Sequence, residues 1–113
     1  MAKKHKIIRE SSAQLGQNMQ RMRVAKGISR KGLAKIIKKS EQQIAKYESG
    51  EFVPLPVMED IAKAMDEQIP KKIIRRISFI RKSETEQGTH FEEELTELYN
   101  AAFPEPYDDE EYE

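Results

Sequence analysis

The sequence predicts an all-α fold, in which a compact domain of four to five helices is followed by an additional C-terminal acidic helix and a disordered tail. Three observations predict it. Apolar residues recur at spacings of three and four along most of the chain, as on one face of a helix. The motif Ser/Thr-x-x-Glu/Gln, which caps a helix start, occurs at Ser11, Ser40 and Thr89. Glycine stands where two of these helices would end, at Gly27 and Gly50.

The composition is that of one small domain with polar extensions. In 113 residues the hydrophobic content is 37% and the charged content 35%, which is polar for a globular domain. The chain has no cysteine, so a disulfide framework and a thiolate metal site are excluded. No apolar run approaches the ~20 residues of a membrane span, and the N-terminus lacks the apolar core of a signal peptide. We therefore expect a cytoplasmic protein that does not contact a membrane.

The net charge of zero conceals two segments of opposite charge. All 20 lysines and arginines lie between Lys3 and Lys82 together with eight acidic residues, so this part carries a net charge of +12. The other twelve acidic residues lie between Glu84 and Glu113 and give that part a net charge of −12. Such asymmetry predicts a polyanionic partner for the basic part, and either a regulatory or a merely solubilising role for the acidic part.

Two short helices joined by a tight turn are predicted in the first half of the chain. A longer amphipathic helix, 12–26, precedes them. Ser29 caps a short helix at 30–38, and the capping box at Ser40 begins the next one. Only the residues around Lys39 separate the two, and this arrangement is a helix-turn-helix.

Three further helices are predicted after it. The stretch "EFVPLP" is extended and leads into a fourth helix, 55–65. The segment 69–83 has isoleucines at helical spacing and is predicted to be a basic amphipathic helix, although its β-branched residues leave a strand open. After a break at "SETEQG", the third capping box opens an acidic helix that Pro104 ends.

The chain therefore divides into five parts. These are a basic flexible arm (1–10), a domain with the helix-turn-helix (11–68), the basic amphipathic helix (69–83), a linker with the acidic helix (84–103) and a disordered acidic tail (104–113). The linker and acidic helix would serve either dimerisation or contact with a partner.

Four motifs between residues 15 and 65 occur together in a fixed order: "RVAKGIS", "LA", "SEQQIAKYESG" and a proline-led apolar helix. In this order and at these spacings they resemble the phage-repressor (Xre/Cro-type) helix-turn-helix family of DNA-binding transcriptional regulators. The resemblance covers a little under half of the chain. It implies that helix 40–49 lies in the major groove of DNA, while the helix before it crosses the DNA backbone.

Helix 40–49 keeps a polar face once its inward residues are assigned. The spacing of Ile44 and Tyr47 places both on the inward side. By the resemblance, the residues that remain for the groove are Glu41, Gln42, Gln43 and Lys46. Glutamine can pair with adenine, lysine with guanine, and glutamate can accept from the N4 amino group of cytosine. The alternative is a solvated helix face that contacts nothing.

Phosphate contacts are expected from residues around that helix. They are Arg30, Lys31, Lys35, Lys39 and Ser40. Arg30 stands where the family usually carries a glutamine that touches a phosphate, and an arginine can bind the same group with charge added.

Two further positions concern stability. By the resemblance, Arg23 and Glu48 form a largely buried ion pair that ties the first helix to the end of helix 40–49. Lys38 stands near the position where the family usually has a glycine. This departure implies either a strained non-glycine residue or a different turn geometry.

No catalytic, metal or cofactor site is predicted. His5 and His90 are single histidines in polar surroundings, without a second ligand at metal spacing. Neither a glycine-rich phosphate loop nor a nucleophile motif occurs. We therefore expect no enzyme activity and no cofactor.

Together these observations predict a sequence-specific DNA-binding transcriptional regulator, a repressor of prokaryotic or phage type by resemblance. It would bind double-stranded DNA as a homodimer on an inverted repeat, because one such domain contacts few bases. The dimer contact would come from the basic helix (Ile73, Ile77, Ile80) or from the acidic helix (Phe91, Leu95, Leu98). Either apolar stripe could instead pack on its own domain.

A protein-interaction module is the alternative function. In one form the chain is an antitoxin, whose segment from Glu84 to Glu113 wraps a basic protein partner. In the other form the acidic segment folds over the basic helices and lowers their affinity for DNA.

Overall fold

The computed structural model describes residues 9–87 and 91–104, and the side chains of 11–83 and 91–104. Six helices occur: α1 (Arg9–Ala25), α2 (Arg30–Ile37), α3 (Glu41–Glu48), α4 (Leu55–Ala64), α5 (Lys71–Gln87) and α6 (Glu92–Ala102). The described residues contain no strand, so the all-α prediction is confirmed and the strand alternative for 69–83 is wrong. None of the helices in these residues combines the length and apolar composition needed to cross a membrane.

The start of α2 and the start of α3 are set by local capping. The Ser29 hydroxyl accepts a hydrogen bond from the Gly32 amide at 2.9 Å, and the Ser40 hydroxyl accepts one from the Gln43 amide at 3.0 Å. Each bond satisfies an amide that has no partner within its helix, which stabilises a helix by about 1 kcal/mol. Both predicted caps are confirmed.

The predicted start of the first helix is wrong. α1 begins at Arg9 instead of residue 12, and residues 1–8 lie outside the described part. Ser11 and Ser12 are buried inside the helix instead of capping it. The Ser11 amide donates to a Glu92 carboxylate oxygen at 2.8 Å. A residue from α6 therefore takes the place of a local cap at this end of α1.

The predicted break after the basic helix is also wrong in part. α5 continues to Gln87, because "SETEQ" contains no proline or glycine to end it. The capping residue predicted at Thr89 lies outside the described residues. α6 begins at Glu92, and its first turn holds three glutamates, which the helix dipole favours there. The tail after Pro104 lies outside the described part as well.

One core joins all six helices. Each helix contributes at least one fully buried apolar side chain, among them Leu15, Leu33, Ile44, Ile61, Ile77 and Leu95. α6 packs against α1 and α5. It runs parallel to α1, because Ser11 lies beside Glu92 and Asn18 donates to Asn100 at 2.7 Å. The apolar stripes of α5 and α6 are thus largely used within their own chain.

Candidate nucleic-acid interface

The turn between α2 and α3 is closed by a lysine in a left-handed conformation. Lys38 has φ 59° and ψ 47°, and the Lys39 amide donates to the Ala34 carbonyl at 2.9 Å. This is the geometry of a helix C-terminal cap that usually takes glycine. Of the two alternatives for this turn, the structure has the strained non-glycine residue.

The exposed side of α3 is polar, and its other side is fixed in the core. Ile44 and Tyr47 are buried, as their spacing predicts. The residues proposed for base contact lie outside the core, with Gln43 half-buried and the others exposed: Glu41, Gln42 and Lys46. α3 therefore presents a row of hydrogen-bonding side chains on a helix that cannot rotate without exposing its apolar face.

Gln43 is the one residue of this face for which a side-chain hydrogen bond is seen. Its amide nitrogen donates to the Glu51 carboxylate at 3.4 Å, across the loop that follows α3. The glutamine of the capping box thus contacts Glu51, and its side chain does not complete the reciprocal bond of the box. This contact orients one amide of the proposed reading face.

Lysines and a serine stand on α2 and in the turn before α3. Lys31, Lys35, Lys39 and Ser40 are all exposed. The Ser40 hydroxyl accepts from Gln43 and retains its own hydrogen for donation. These groups have the chemistry that phosphate contacts require.

Arg30 has a partner that the sequence did not predict. Its Nε donates to Glu48 Oε1 at 3.0 Å, while the side chain stays 41% exposed. The guanidinium is thereby held at the start of α2 by a residue at the end of α3. An arginine with five donors can bind a second anion while one of them is engaged.

Glu48 also accepts hydrogen bonds from Arg23. Arg23 Nε donates to Glu48 Oε2 at 2.6 Å and its Nη2 donates to Oε1 at 3.2 Å, with side-chain exposures of 10% and 3%. A third donor, Nη1, reaches the Ile28 carbonyl at 2.8 Å. α1, the start of α2 and the end of α3 are thus joined through one carboxylate.

A close approach of α1 to α3 completes the arrangement. A Cβ atom on Gly16 would lie 2.5 Å from the Tyr47 carbonyl oxygen and 2.7 Å from that of Glu48. Nothing in the sequence indicates this contact of Gly16, because a single glycine within a helix gives no local sign of a neighbour.

Burial and charge act on the tyrosine beneath the face. Burial raises the pKa of the Tyr47 phenol, and the negative charge of Glu51 raises it further.

In the described residues, no group of three or more histidine, cysteine, aspartate or glutamate side chains is placed to hold a metal ion.

A family of known proteins is similar to the segment that carries this geometry. A family model described as "Helix-turn-helix" matches residues 19–71. A Rickettsia prowazekii (strain Madrid E) protein named as an uncharacterized HTH-type transcriptional regulator is 36% identical over 70 residues. The matched part is 61% of this chain and 54% of the relative, so the chain spans about half of the relative's length. No solved structure gives a significant match. The capped pair α2–α3 lies inside the matched segment, so this part of the chain is similar to helix-turn-helix proteins.

Proposed function

We propose that this protein is a sequence-specific DNA-binding transcriptional regulator, a repressor, in which α3 lies in the major groove. The observation that carries the proposal is the exposed polar face of α3, fixed from behind by Ile44, Tyr47 and Glu48. A rigid helix with such a face is what direct reading of bases requires. The name of the Rickettsia relative, an HTH-type transcriptional regulator, supports the same class of function.

The side chains of the face suit particular bases. Gln42 and Gln43 can pair with the N6 and N7 atoms of adenine, and Lys46 with guanine. Glu41 can accept from cytosine N4, and its charge disfavours any placement against a phosphate. A good bidentate pair discriminates against the wrong base by about 1–3 kcal/mol.

The surrounding cations would bind the DNA backbone. Lys31 and Lys35 are exposed on α2, Lys39 is exposed in the turn before α3, and Arg30 stands at the start of α2. The net charge of +12 between residues 3 and 82 supports a polyanionic partner.

Selection of bound sequences from a random DNA pool tests the proposal. We expect an enriched motif with inverted symmetry. On the selected operator, Lys46→Ala should cost about 1–3 kcal/mol and relax the preference at one base pair. Lys35→Ala should weaken binding to all sequences and lower the salt slope by about one. The control is Lys63→Ala, an exposed lysine on α4. Absence of any enriched sequence, or equal affinities of the Lys46 and Lys63 variants, would contradict base reading by α3.

We also propose that the chain binds its operator as a homodimer. The stripes predicted to make the contact are largely buried within the chain, so a second copy would have to meet other residues. Phe79 on α5 is 50% exposed. Exposed Lys72 and Arg75 lie on the same helix, and exposed Glu93 and Glu97 lie on the adjacent α6. A two-fold axis would set the basic helix of one copy against the acidic helix of the other around Phe79.

Charge exchange tests this interface. The double variants Lys72→Glu/Arg75→Glu and Glu93→Lys/Glu97→Lys should each be monomeric by light scattering, because like charges then face each other across the two-fold axis. An equimolar mixture should form a heterodimer, in which both contacts are attractive again. A wild-type chain that stays monomeric on its operator would rule out the dimer. A mixture that stays monomeric would rule out this interface.

The alternative role of the acidic segment, autoinhibition of DNA binding, requires a truncation that keeps α6. Removal of everything after Ser83 would take Leu95, Tyr99 and Phe103 out of the core, so the domain would be destabilised. Removal of residues 105–113 leaves α6 in place. If that segment lowers DNA affinity, the shortened chain should bind DNA more tightly, with the larger gain at low salt. Equal affinities at matched salt would count against autoinhibition by these residues.

A further inference from the structure

Arg81 joins the last helix to the loop that follows α3. Its guanidinium carbon lies 4.2 Å from the centre of the Phe52 ring and 5.4 Å from that of the Tyr99 ring. Its Nε donates to the Tyr99 hydroxyl at 3.0 Å, and its Nη2 donates to the same oxygen. Tyr99 is fully buried in α6, whereas Phe52 is 38% exposed. A buried residue of α6 thus holds the arginine that covers a loop residue.

The loop is in turn folded against the end of α3. The Gly50 amide donates to the Tyr47 carbonyl at 3.1 Å, and the Glu51 amide donates to the Lys46 carbonyl at 3.0 Å. Beside Phe52, the Glu51 carboxylate accepts the side-chain hydrogen bond of Gln43. A displacement of Phe52 therefore displaces the group that orients an amide of the proposed reading face.

We propose that Arg81 is a positioning residue for DNA reading by α3, an inference that rests on the proposed function. It holds Phe52 by a cation–π contact and is itself held by the Tyr99 hydroxyl. The fixed loop then keeps Glu51 against Gln43. The helices α5 and α6 thus influence DNA recognition through the proposed reading face of α3, without contacting the bases themselves.

Two other roles for Arg81 predict different results. An arginine that binds a phosphate directly would contribute equally to operator and to unrelated DNA, and its removal would lower the salt slope by about one. An arginine that only stabilises the fold would change the melting temperature and leave the affinity of the folded protein unaltered. A positioning residue affects operator binding alone and leaves the salt slope unchanged.

Arg76 is a matched control on the same helix. It also joins α5 to α6, because its Nε and Nη2 donate to the Glu94 carboxylate at 2.7 and 2.9 Å. Its aromatic contacts are with Phe79 and Phe91, at 5.2 and 5.8 Å. These contacts lie within α5 and at the start of α6, away from the loop after α3. Substitution of Arg76 therefore removes another link between α5 and α6 without affecting Phe52.

The experiment compares Arg81→Met, Tyr99→Phe and Arg76→Met in the full chain. Fluorescence anisotropy measures affinity for the selected operator and for an unrelated duplex at several salt concentrations, well below each variant's melting temperature. We expect Arg81→Met to weaken operator binding roughly threefold to tenfold, with binding to the unrelated duplex and the salt slope unchanged. Tyr99→Phe should act in the same direction more weakly. Arg76→Met should bind a duplex with a single half-site like the wild type, and this duplex is the fair comparison because Arg76 contacts Phe79 at the proposed dimer interface.

Several results would overturn the inference. Arg81→Met with wild-type operator affinity would do so, and so would an equal loss on both DNAs with a lower salt slope. If Arg81→Met does not fold, Tyr99→Phe decides, and unchanged operator affinity in that variant overturns the inference. A wild-type chain that binds no selected sequence overturns the proposed function and this inference together, whereas equal affinities of wild type and Arg81→Met overturn the inference alone.

Discussion

Gly16 lies against the backbone of Tyr47 where α1 crosses the end of α3. A Cβ atom at position 16 would stand 2.5 Å from the Tyr47 carbonyl oxygen, well inside van der Waals contact. The neighbouring atoms belong to the backbone of α3, so they can move away only if the whole helix end moves. The orientation of α3 therefore depends on the absence of a side chain in α1.

Gly16→Ala should destabilise the protein although alanine is the better helix former. Helix propensity alone would favour alanine by roughly 1 kcal/mol. Overpacking against a fixed backbone costs about 1–3 kcal/mol, and we expect this cost to prevail, because the clash is with two carbonyl groups. Thermal unfolding followed by circular dichroism measures the difference. The control is Gly32→Ala, where the new Cβ would meet a Ser29 side-chain oxygen at 3.2 Å, and a smaller change is expected. A Gly16→Ala variant that melts at or above the wild-type temperature would contradict this packing.

Lys38→Gly should stabilise the turn between α2 and α3. A non-glycine residue in the left-handed region costs about 1–2 kcal/mol, and the greater chain entropy of glycine cancels part of the gain. We therefore expect the free energy of unfolding in urea to rise by about 0.5–1 kcal/mol. Lys39→Gly is the matched control, because Lys39 is not among the described residues with positive φ. It should leave stability unchanged or lower it. Equal changes in the two variants would show that the left-handed conformation carries no strain.

Local signals in the sequence predicted α2 and α3. The features that the sequence could not predict depend on contacts between residues that are far apart in the chain. Ser29 and Ser40 cap their helices because a cap needs only the next three residues. Ser11 begins the same capping-box motif as Ser40, yet α6 covers this end of α1 and a Glu92 carboxylate oxygen accepts the hydrogen bond of the Ser11 amide. The sequence pattern at position 11 is therefore the same, but a residue 81 positions away changes the outcome.

The polar face of α3 could be predicted from the spacing of Ile44 and Tyr47 alone. The contacts that hold this face in place could not be predicted. The contact of Arg30 with Glu48 and that of Arg81 with Phe52 join residues 18 and 29 positions apart, and neither pair has a spacing that a helix or a turn would impose. The family resemblance implied that Arg23 and Glu48 are partners. It gave no sign that Glu48 would also accept a hydrogen bond from a second arginine.

Glu48→Gln should be among the most destabilising single substitutions around α3. It leaves Arg23, whose side chain is 10% exposed, without its anionic partner. Removal of one member of a buried pair costs about 3–5 kcal/mol. Arg30→Met should cost less than about 1 kcal/mol, because Arg30 is 41% exposed and water can replace its partner. Urea unfolding of both variants gives the comparison. Similar free energies of unfolding for the two variants would mean that the buried contact of Glu48 with Arg23 contributes no more to stability than the exposed contact with Arg30.

Tyr47 should make the protein sensitive to alkaline pH. Burial, and then the charge of Glu51, raise the pKa of Tyr47 above its ordinary value near 10 in the folded state. The folded protein therefore keeps a proton that the unfolded chain has lost. The associated stability is complete below pH ~10 and is lost as pH rises through the folded pKa. We expect the free energy of unfolding of the wild type to fall more steeply above pH ~10 than that of Tyr47→Phe, which has no phenol to ionise.

The comparison of the two chains isolates this tyrosine, because the lysines and the other tyrosines titrate in both. Urea unfolding from pH 8 to pH 11 gives the two curves, and their difference is the contribution of Tyr47. Glu51→Gln should reduce that difference without abolishing it, since burial is the larger of the two causes. Parallel curves for wild type and Tyr47→Phe would mean that the phenol ionises as readily in the folded protein as in the unfolded chain. Tyr47 would then be accessible to water, and α3 would be less firmly fixed to the core than its burial indicates.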